Sequence, residues 1–236
     1  MGHKVNPVGL RLGIIRTWDS KWFDKKDYKK NLKQDITIRN VIMEKWKSAS
    51  ISGVEIERSV KMIKIIIKTA RPGVLIGRGG SGIEDLKRYI QNRFFKNSRS
   101  TNLKLEVQEI KNFKESASIV AQNIAEQLEK RKPFKKVMKS MADQVMKKSG
   151  NLGVKIELAG RLGGAEMSRK EWTAKGTLPL HTLRADIDFS RKIAFTSYGT
   201  LGVKVWIYKG EVFSKKSEEE KREEEIRNRP SKERKI

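Results

Sequence analysis

The apolar residues of the chain recur at spacings that separate helical from extended segments. Between residues 28 and 47 they repeat at intervals close to 3.6, which predicts an amphipathic helix. Residues 54–58 and 61–68 alternate or form short apolar runs, which predicts two strands. A second helical stripe begins at Ile83, and residues 103–107 predict a further strand. This stretch therefore forms one small α/β unit. The stripe of the first helix comprises Leu32, Ile36, Ile38, Val41, Ile42 and Trp46.

The same spacing rule predicts two helices and several strands in the second half. Residues 115–130 carry one apolar face, and Pro133 can open the next helix because the first turn does not need its missing N–H. Residues 154–158, 183–189 and 203–207 alternate as strands do, within a total of three or four strands. The predicted fold class is α/β in the α+β sense, with a second α/β domain of two helices packed on a mostly antiparallel sheet.

These patterns divide the chain into four parts. Residues 1–16 form a basic, Gly-rich N-terminal arm, residues 17–110 a first domain and residues 111–213 a second domain. Residues 214–236 carry both signs of charge and lack an apolar stripe. Such a tail cannot bury enough apolar surface to fold alone, so we expect it to be disordered, or helical only against a partner.

A glycine-rich loop follows the second predicted strand. Gly77, Gly79 and Gly82 match the pattern G-x-G-x-x-G of dinucleotide-binding folds, which place those glycines directly after a strand. Here Arg71-Pro72-Gly73 separates the strand from the loop, and only one βα unit surrounds it. A dinucleotide-dependent enzyme therefore stays a minor alternative. A P-loop is excluded because no Gly-Lys-Ser/Thr occurs there.

The same loop also contains the pattern G-x-x-G, from Gly77 to Gly80, before an amphipathic helix. Glycine at both positions lets a nucleic-acid backbone approach closely, and the N–H groups of the next helix turn face a bound phosphate. Arg78 adds a cation. KH modules clamp nucleotide backbone in this way, and the order of elements resembles the type II KH arrangement. The alternative is a turn that only changes the chain direction.

The charge balance favours a polyanionic partner. The 236 residues include 53 Lys and Arg against 28 Asp and Glu, a formal net charge of +25. The tail has nine basic and seven acidic residues, so nearly all of the excess lies in residues 1–213. A chain of this charge repels itself and is best explained beside nucleic acid. Binding to a membrane surface is disfavoured because no segment pairs a basic face with a broad apolar one.

Composition excludes several chemistries. The chain has no Cys, which excludes disulfides, thiolate metal sites and Cys nucleophiles. With only two His residues, a His-based zinc site is excluded as well. No apolar run approaches the roughly 18 residues that a membrane span needs. These exclusions agree with the overall expectation of a binding protein that is not an enzyme and needs no cofactor or metal.

Three stretches of the chain carry long and specific motifs. The N-terminus reads Gly2-x-Lys4-Val5-x-Pro7-x-Gly9-x-Arg11-Leu12-Gly13, and the middle has Thr69-Ala70-Arg71-Pro72-Gly73 before the G-x-x-G loop. The C-terminal part has GRLGGAE at 160–166, PLHTLRADID at 179–188 and GVKVWI at 202–207. Together these motifs resemble the family of bacterial-type small ribosomal subunit protein three, the uS-three family. The resemblance covers about residues 1–213 and leaves the tail out.

This resemblance implies a type II KH domain in residues 17–110 and a structural role in the head of the small ribosomal subunit, in the cytoplasm. The implied partners are small-subunit rRNA, mRNA at the channel through which it enters, and neighbouring head proteins, namely proteins ten and fourteen of the small subunit. No membrane partner is implied. In the family, basic helix residues line that channel and help the ribosome to open mRNA structure.

The match to those basic residues falls on residues 128–136. Five cations lie here around Pro133 and Phe134, at the joint between the two predicted helices: Lys130, Arg131, Lys132, Lys135 and Lys136. The apolar stripe of the second helix leaves the lysines pointing outward together, which favours RNA over a merely solvated face. The family commonly has Arg where Lys130, Lys135 and Lys136 stand, and Lys keeps the charge without the planar bidentate group.

Further RNA contacts are predicted on the arm and after the strand at 154–158. The arm supplies Lys4 and Arg11, and the turn supplies Arg161, Gly163 and Gly164 with Arg169 nearby; Gly77, Arg78, Gly79 and Gly80 complete the predicted RNA-binding set. For the turn, a purely structural strand connection is an equal alternative without the resemblance. Asp186 and Asp188 lack further metal ligands, so pairing of Asp186 with Arg184 is favoured over a metal site. His181 is predicted to be buried or hydrogen-bonded rather than a catalytic base.

Overall fold

The computed structural model describes residues 4–59, 62–95, 102–110, 112–148 and 150–213, without the side chains of residues 113 and 148. The tail at 214–236, predicted to be disordered or dependent on a partner, lies outside the described residues. Within them the chain forms two four-stranded sheets, each with its own helices and its own buried core.

The first sheet lies in the N-terminal half. The elements of this half are α1 (Pro7–Leu10), β1 (Ser20–Lys21), α2 (Tyr28–Lys45), β2 (Ile51–Arg58), β3 (Met62–Thr69), α3 (Pro72–Ile76), α4 (Ser81–Phe94) and β4 (Asn102–Glu109). The strand order is β1-β2-β3-β4, in which β2 and β3 are antiparallel and the two outer pairs are parallel. The order of α2, β2, β3, the glycine loop, α4 and β4 confirms the predicted α/β unit.

Helices α2 and α4 pack on this sheet through fully buried branched side chains. Ile38 and Ile42 of α2 and Ile90 of α4 lie in one cluster with Ile65 and Ile67 of β3. Burial of each such side chain stabilises the folded state by about 1.5–3 kcal/mol. The cluster holds the helices on both sides of the glycine loop, because α3 contributes Leu75 to it and α4 contributes Leu86 from its second turn.

The second sheet is entirely antiparallel. The elements of this half are α5 (Ala117–Glu129), α6 (Phe134–Lys148), β5 (Gly153–Gly160), β6 (Arg169–Gly176), β7 (Ala185–Thr196) and β8 (Gly199–Glu211). The strand order is β6-β5-β8-β7. The described part of α5 and α6 buries Ile124 and Val145 against Ile156 and Val205 of the sheet. The prediction of two helices on a mostly antiparallel sheet is confirmed.

Helix α2 departs from the predicted stripe. Leu32 and Ile36 are 37% and 49% exposed, whereas Asp35 is fully buried between them. The Asp35 carboxylate accepts hydrogen bonds from Trp22 Nε1 at 2.8 Å and from Arg58 Nε at 2.9 Å. These hydrogen bonds stabilise the buried carboxylate of Asp35. An acid therefore occupies a core position, whereas the apolar spacing had predicted burial of Leu32 and Ile36.

The arm packs on the second domain through Arg16. Its guanidinium pairs with Asp186 at 2.9 Å and with Asp188 at 3.3 Å, so the predicted pairing of Asp186 with Arg184 is wrong. Arg184 instead pairs with Glu211 at 2.7 Å. Burial alone would lower the pKa of Arg16, but the charges of Asp188 and Asp186 outweigh it and raise this pKa. The sequence places Arg184 close to Asp186, whereas only the fold brings Arg16 there.

Asp188 has a second role at the start of α5. Its Oδ2 accepts a hydrogen bond from the backbone N–H of Ala117, the first residue of that helix, at 2.9 Å. A carboxylate at this position satisfies an otherwise unpaired donor and opposes the positive end of the helix dipole. One aspartate therefore joins the arm, strand β7 and helix α5.

Side-chain hydrogen bonds also join the two domains. Gln122 of α5 donates from Nε2 to the backbone carbonyl of Lys47 at 2.7 Å. The hydroxyls of Ser52 and Ser116 lie 2.6 Å apart. In the five described stretches, no helix combines the length and the apolar character needed to cross a bilayer.

Candidate nucleic-acid interface

The loop between α3 and α4 is built on backbone conformations that favour glycine. Gly77, Gly79 and Gly80 have φ angles of +72°, +61° and +85°. These lie in the left-handed region, which side chains with a Cβ rarely adopt. Gly82, in the first turn of α4, has no room for a side chain, because a Cβ there would lie 2.6 Å from the carbonyl oxygen of Leu75. The glycines are thus required by the turn itself, whatever the loop binds.

The same loop presents open surface. A Cβ added at Gly79 or Gly80 would meet nothing within 4 Å, and the Arg78 side chain is exposed. Glu84 lies in the first turn of α4, and its carboxylate is paired with Arg88 at 3.5 Å. The loop therefore offers a cation and exposed backbone to a phosphate, with one partly neutralised acid at the same helix end.

The five predicted cations at the end of α5 form a tight turn, which we call the lysine-rich joint (Lys130, Arg131, Lys132, Lys135 and Lys136). Arg131 has a positive φ of +57°. Its N–H donates to the carbonyl of Leu128 at 2.9 Å, and that of Lys132 donates to Gln127 at 3.1 Å. These bonds satisfy carbonyls at the end of α5 in the manner of a left-handed helix cap. Helix α6 then begins at Phe134.

All five side chains of the lysine-rich joint are exposed. None of them forms an ion pair with any residue that the structure describes. Other surface cations are paired, such as Lys204 with Glu157 at 3.3 Å. The joint is therefore a concentrated and uncompensated positive surface.

Phe134 links the joint to the turn between β5 and β6. Its ring is partly buried against the core, and a Cβ built on Gly163 would lie 3.7 Å from its Cε1. The Arg169 guanidinium lies 5.8 Å from the centroid of the same ring. The structure thus brings together two predicted contact regions that are about 30 residues apart in the sequence.

The cations of this turn are partly used within the protein. Arg161 donates from Nε to the carbonyl of Ala165 at 2.9 Å, and Arg169 pairs with Glu171 at 2.8 Å. Gly163 and Gly164 have φ angles of +69° and +83°. The turn therefore needs its glycines for its own conformation. The charge of Arg169 is partly balanced by Glu171, whereas Arg161 keeps its charge but uses some of its N–H donors within the protein.

The sequence interpretation missed two aromatic residues beside the joint. Phe195 and Tyr198, near the turn between β7 and β8, are 68% and 56% exposed. The backbone N–H of Phe195 donates to Oε1 of Glu129, the last residue of α5, at 3.1 Å. In the sequence, the pattern that could have indicated them is an aromatic residue directly before Gly199, at a hairpin turn. This pattern does not show that the hairpin lies beside the joint, because that depends on the strand order.

The two predicted contacts of the arm differ from each other. Lys4 is exposed, whereas Arg11 is fully buried. The Arg11 guanidinium donates to the carbonyls of Pro7 at 2.9 Å and of Leu180 and Thr182 at 3.0 Å. Arg11 therefore holds the arm on the second domain and has no exposed surface for RNA. Burial, together with the nearby charge of Arg16, lowers the pKa of Arg11.

The structure also places His181 and three of the tryptophans. His181 is exposed, so the predicted burial is wrong, and no hydrogen bond joins its side chain to another residue that the structure describes. Trp18 and Trp172 are exposed, whereas Trp206 is 8% exposed and belongs to the core. Among the described residues, no group of three or more His, Cys, Asp or Glu side chains is placed to hold a metal ion.

The fold and two family models define the class of protein as an RNA-binding KH-domain protein with a second, family-specific domain. The sequence model of the KH domain matches residues 37–115. The sequence model described as Ribosomal protein S3, C-terminal domain, matches residues 124–207.

Full-length relatives give the same result. Small ribosomal subunit protein uS3 of Ligilactobacillus salivarius is 49% identical over 221 residues, which cover 94% of this chain and 99% of the relative. The uS3 of Clostridium perfringens is 49% identical over 224 residues, with 94% and 99% covered. That of Caldicellulosiruptor saccharolyticus is 49% identical over 217 residues, with 92% and 96% covered.

The chain belongs to the small ribosomal subunit protein uS3 family. The family resemblance read from the motifs is thereby confirmed. As a member of this family the protein is a component of the small ribosomal subunit and takes part in translation in the cytoplasm.

Proposed function

We propose that this protein binds small-subunit rRNA as a structural component of the subunit head, and that its lysine-rich joint lines the channel through which mRNA enters. The observation that carries the proposal is the set of five exposed cations without ion pairs in the described chain. Unpaired cations keep their charge for phosphates, and release of counterions from the RNA then drives binding.

The remaining exposed candidates fit contacts to RNA backbone better than recognition of a base sequence. Lys4, Arg78 and the arginines at 161 and 169 supply positive charge, and the glycine turns at 77–80 and 163–164 leave backbone accessible. Phosphate contacts of this kind fix position and orientation without reading sequence. That is the chemistry expected of a structural rRNA-binding component.

Unwinding of mRNA at the joint would be passive. Cations stabilise separated strands by holding their phosphates apart, which shifts the equilibrium of a hairpin toward its open form. The work of strand separation comes from translocation, and the proposal assigns no bond chemistry to this chain. Because lysine acts as a point charge, the joint holds a strand less specifically than an arginine fork would.

We also propose contacts to neighbouring head proteins, with small-subunit proteins ten and fourteen as the partners that the family resemblance implies. Exposed large apolar side chains support a protein-facing surface, since Trp18 is 69% and Phe23 84% exposed.

The test is translation by ribosomes that carry altered protein. Small subunits with Lys130, Lys135 and Lys136 replaced by Ala are compared with unmodified subunits on two mRNAs of equal length, one with a stable hairpin and one without structure. We expect the variant to slow elongation through the hairpin more than elongation on the unstructured mRNA. Arg131 is left unchanged, because its positive φ adds a backbone effect to any substitution.

A matched control removes the same charge elsewhere. Lys25 and Lys26 lie just before α2 and Lys29 lies in its first turn. All three are exposed, so their replacement by Ala lowers the net charge by the same amount. This control should not slow the hairpin mRNA selectively. Equal slowing of both mRNAs by the joint variant, or equal behaviour of variant and control, contradicts the role at the channel.

A further inference from the structure

The hairpin between β7 and β8 lies beside the lysine-rich joint. Glu129 accepts the backbone N–H of Phe195 at 3.1 Å and directly precedes Lys130. On the other side, Arg161 of the β5–β6 turn donates from Nη1 to the backbone carbonyl of Tyr198 at 3.3 Å. The joint, the turn at 160–164 and the tip of the hairpin therefore form one continuous surface.

The ring of Tyr198 is supported on one face by backbone, and the residue is largely exposed. A Cβ built on Gly164 would lie 3.2 Å from Cε2 and 3.4 Å from both Cδ2 and Cζ of the ring. Nearly equal distances to three consecutive ring carbons place that position over the face of the ring, not beyond its edge. The absence of a side chain at Gly164 thus lets the backbone support one ring face. The residue as a whole is still 56% exposed.

The charges around Tyr198 favour nucleic acid. The Arg161 guanidinium lies 5.9 Å from the ring centroid, and Lys130 follows the residue that anchors the hairpin. A supported aromatic ring beside cations is the arrangement by which proteins hold single strands, because the ring stacks on a base while the cations neutralise phosphates. A protein partner would need matching acids along the whole joint.

We propose that Tyr198 is a stacking platform for one base of a single-stranded RNA whose phosphates lie on the lysine-rich joint. This inference rests on the proposed function and adds a base contact outside the joint. The strand must be single, since the faces of a base within a duplex are already stacked. Stacking on a ring tolerates any base, so the platform would serve every mRNA sequence.

The test uses the full chain and a single-stranded oligouridine 12-mer that carries one 2-aminopurine. The fluorescence of this base falls when it stacks on an aromatic ring, and titration gives the Kd at several salt concentrations. We expect Tyr198→Ala to raise the Kd about 5- to 100-fold and to reduce the quenching. The slope of log K against log salt should not change, because no charge is removed.

Two controls separate stacking from structural effects. Tyr198→Phe keeps the ring and should keep both affinity and quenching. Tyr28→Ala removes another tyrosine of similar exposure, 55%, in the first domain and should change neither. If Tyr198→Ala fails to fold, Tyr198→Leu with the same fluorescence readout replaces it, since leucine fills space without a π-face.

The outcomes distinguish this inference from the proposed function. Full affinity and quenching in Tyr198→Ala overturn the platform, while a reduced affinity and salt slope in the triple Lys→Ala variant of the joint would leave the proposed function standing. If neither variant has an effect on RNA binding, both the platform and the proposed function are overturned. Normal RNA binding by Tyr198→Ala with defective assembly into small subunits would assign the ring to a protein partner and likewise overturn the platform.

Discussion

The guanidinium of Arg58, at the end of β2, donates from Nε to the fully buried carboxylate of Asp35 at 2.9 Å. The same carboxylate accepts a hydrogen bond from Ser20 Oγ at 3.0 Å and another from Trp22. One acid on α2 therefore holds the segment around β1 and the end of β2. A buried charge of this kind is tolerated only while all of its partners are present.

Replacing Asp35 by Ala should lower the free energy of unfolding by about 3–5 kcal/mol, because Arg58 would remain buried without a counter-charge. Urea denaturation followed by tryptophan fluorescence measures this. Glu44→Ala removes an exposed carboxylate from the same helix and should stay within about 0.5 kcal/mol of the unmodified protein. A similarly small effect of Asp35→Ala would show that the network does not support the fold.

Arg11→Ala should destabilise the protein without changing the salt dependence of its affinity for RNA. Three backbone carbonyls lose a charged donor, and each such bond is worth about 1.5–3 kcal/mol, so we expect a loss of at least about 2 kcal/mol. The dependence of RNA affinity on salt should stay the same when measured below the unfolding transition. Lys4→Ala, a change of equal charge on the exposed arm, should leave the unfolding free energy unchanged. A salt slope of smaller magnitude for Arg11→Ala than for the unmodified protein would return Arg11 to the RNA-binding set.

The glycine loop can be tested at Gly79, where a side chain has space. Gly79→Asn and Gly79→Asp tolerate the left-handed backbone about equally and differ only in charge. If the loop touches RNA phosphates, the Asp variant should bind small-subunit rRNA several-fold more weakly than the Asn variant, with equal thermal stability. Equal affinities would show that the loop is only a turn. Gly82→Ala is unsuitable for this purpose, because its Cβ would overlap the carbonyl of Leu75.

Arg131 has an unfavourable positive φ angle, and its side chain carries a charge that can bind a phosphate. Arg131→Gly should raise the free energy of unfolding by about 0.5–1 kcal/mol, because glycine accepts the positive φ without strain. It should also lower the magnitude of the salt slope for single-stranded RNA by about 0.7, the value for one lost phosphate contact. Lys132→Ala removes the same charge and should lower the slope without the gain in stability. If Arg131→Gly is not more stable than Lys132→Ala, the backbone argument fails.

Acid should weaken the first domain through Glu55. Burial alone would raise the pKa of Glu55, but its hydrogen bond with Lys68 and the charge of Lys21 outweigh burial and lower the pKa below its ordinary value. A lowered folded-state pKa contributes stability that is complete above the unfolded value, near 4.3, and is lost as the pH falls through the folded value. Glu55→Gln should therefore flatten the loss of stability below about pH 5. An unchanged profile of unfolding free energy against pH would contradict this.

Apolar spacing predicted most elements but not the exceptions to it. Asp35 took a core position in α2 because Trp22 and Arg58 surround it, and neither partner is close to it in sequence. The short helix α1 was missed although the sequence contains the residues that start it. Asn6 caps this helix by accepting the N–H of Val8, and Pro7 is its first residue. Strand β6 was not located because it lies at a sheet edge, where exposed Lys170 and Trp172 weaken the alternation.

The candidate interface was predicted in its parts but not as a whole. The cations of the lysine-rich joint stood out as a run, and the glycine turn at 163–164 as a motif. Their proximity depends on Phe134 and on a strand order in which β5 lies beside β8. That order also places Tyr198 next to Gly164. No local pattern encodes such a pairing, so the aromatic residue was missed and the buried Arg11 was assigned to RNA.

The anchoring of the arm has a consequence for biosynthesis. Arg16 and its partner Asp186 are separated by 170 positions, and Arg11 lies 169 and 171 positions from two of the carbonyls that it binds, those of Leu180 and Thr182. A nascent polypeptide exposes the arm long before the residues that receive it have been made. The N-terminal arm leaves the exit tunnel first, but it docks on the second domain among the last steps of folding. Docking must wait because it closes a loop that spans most of the chain.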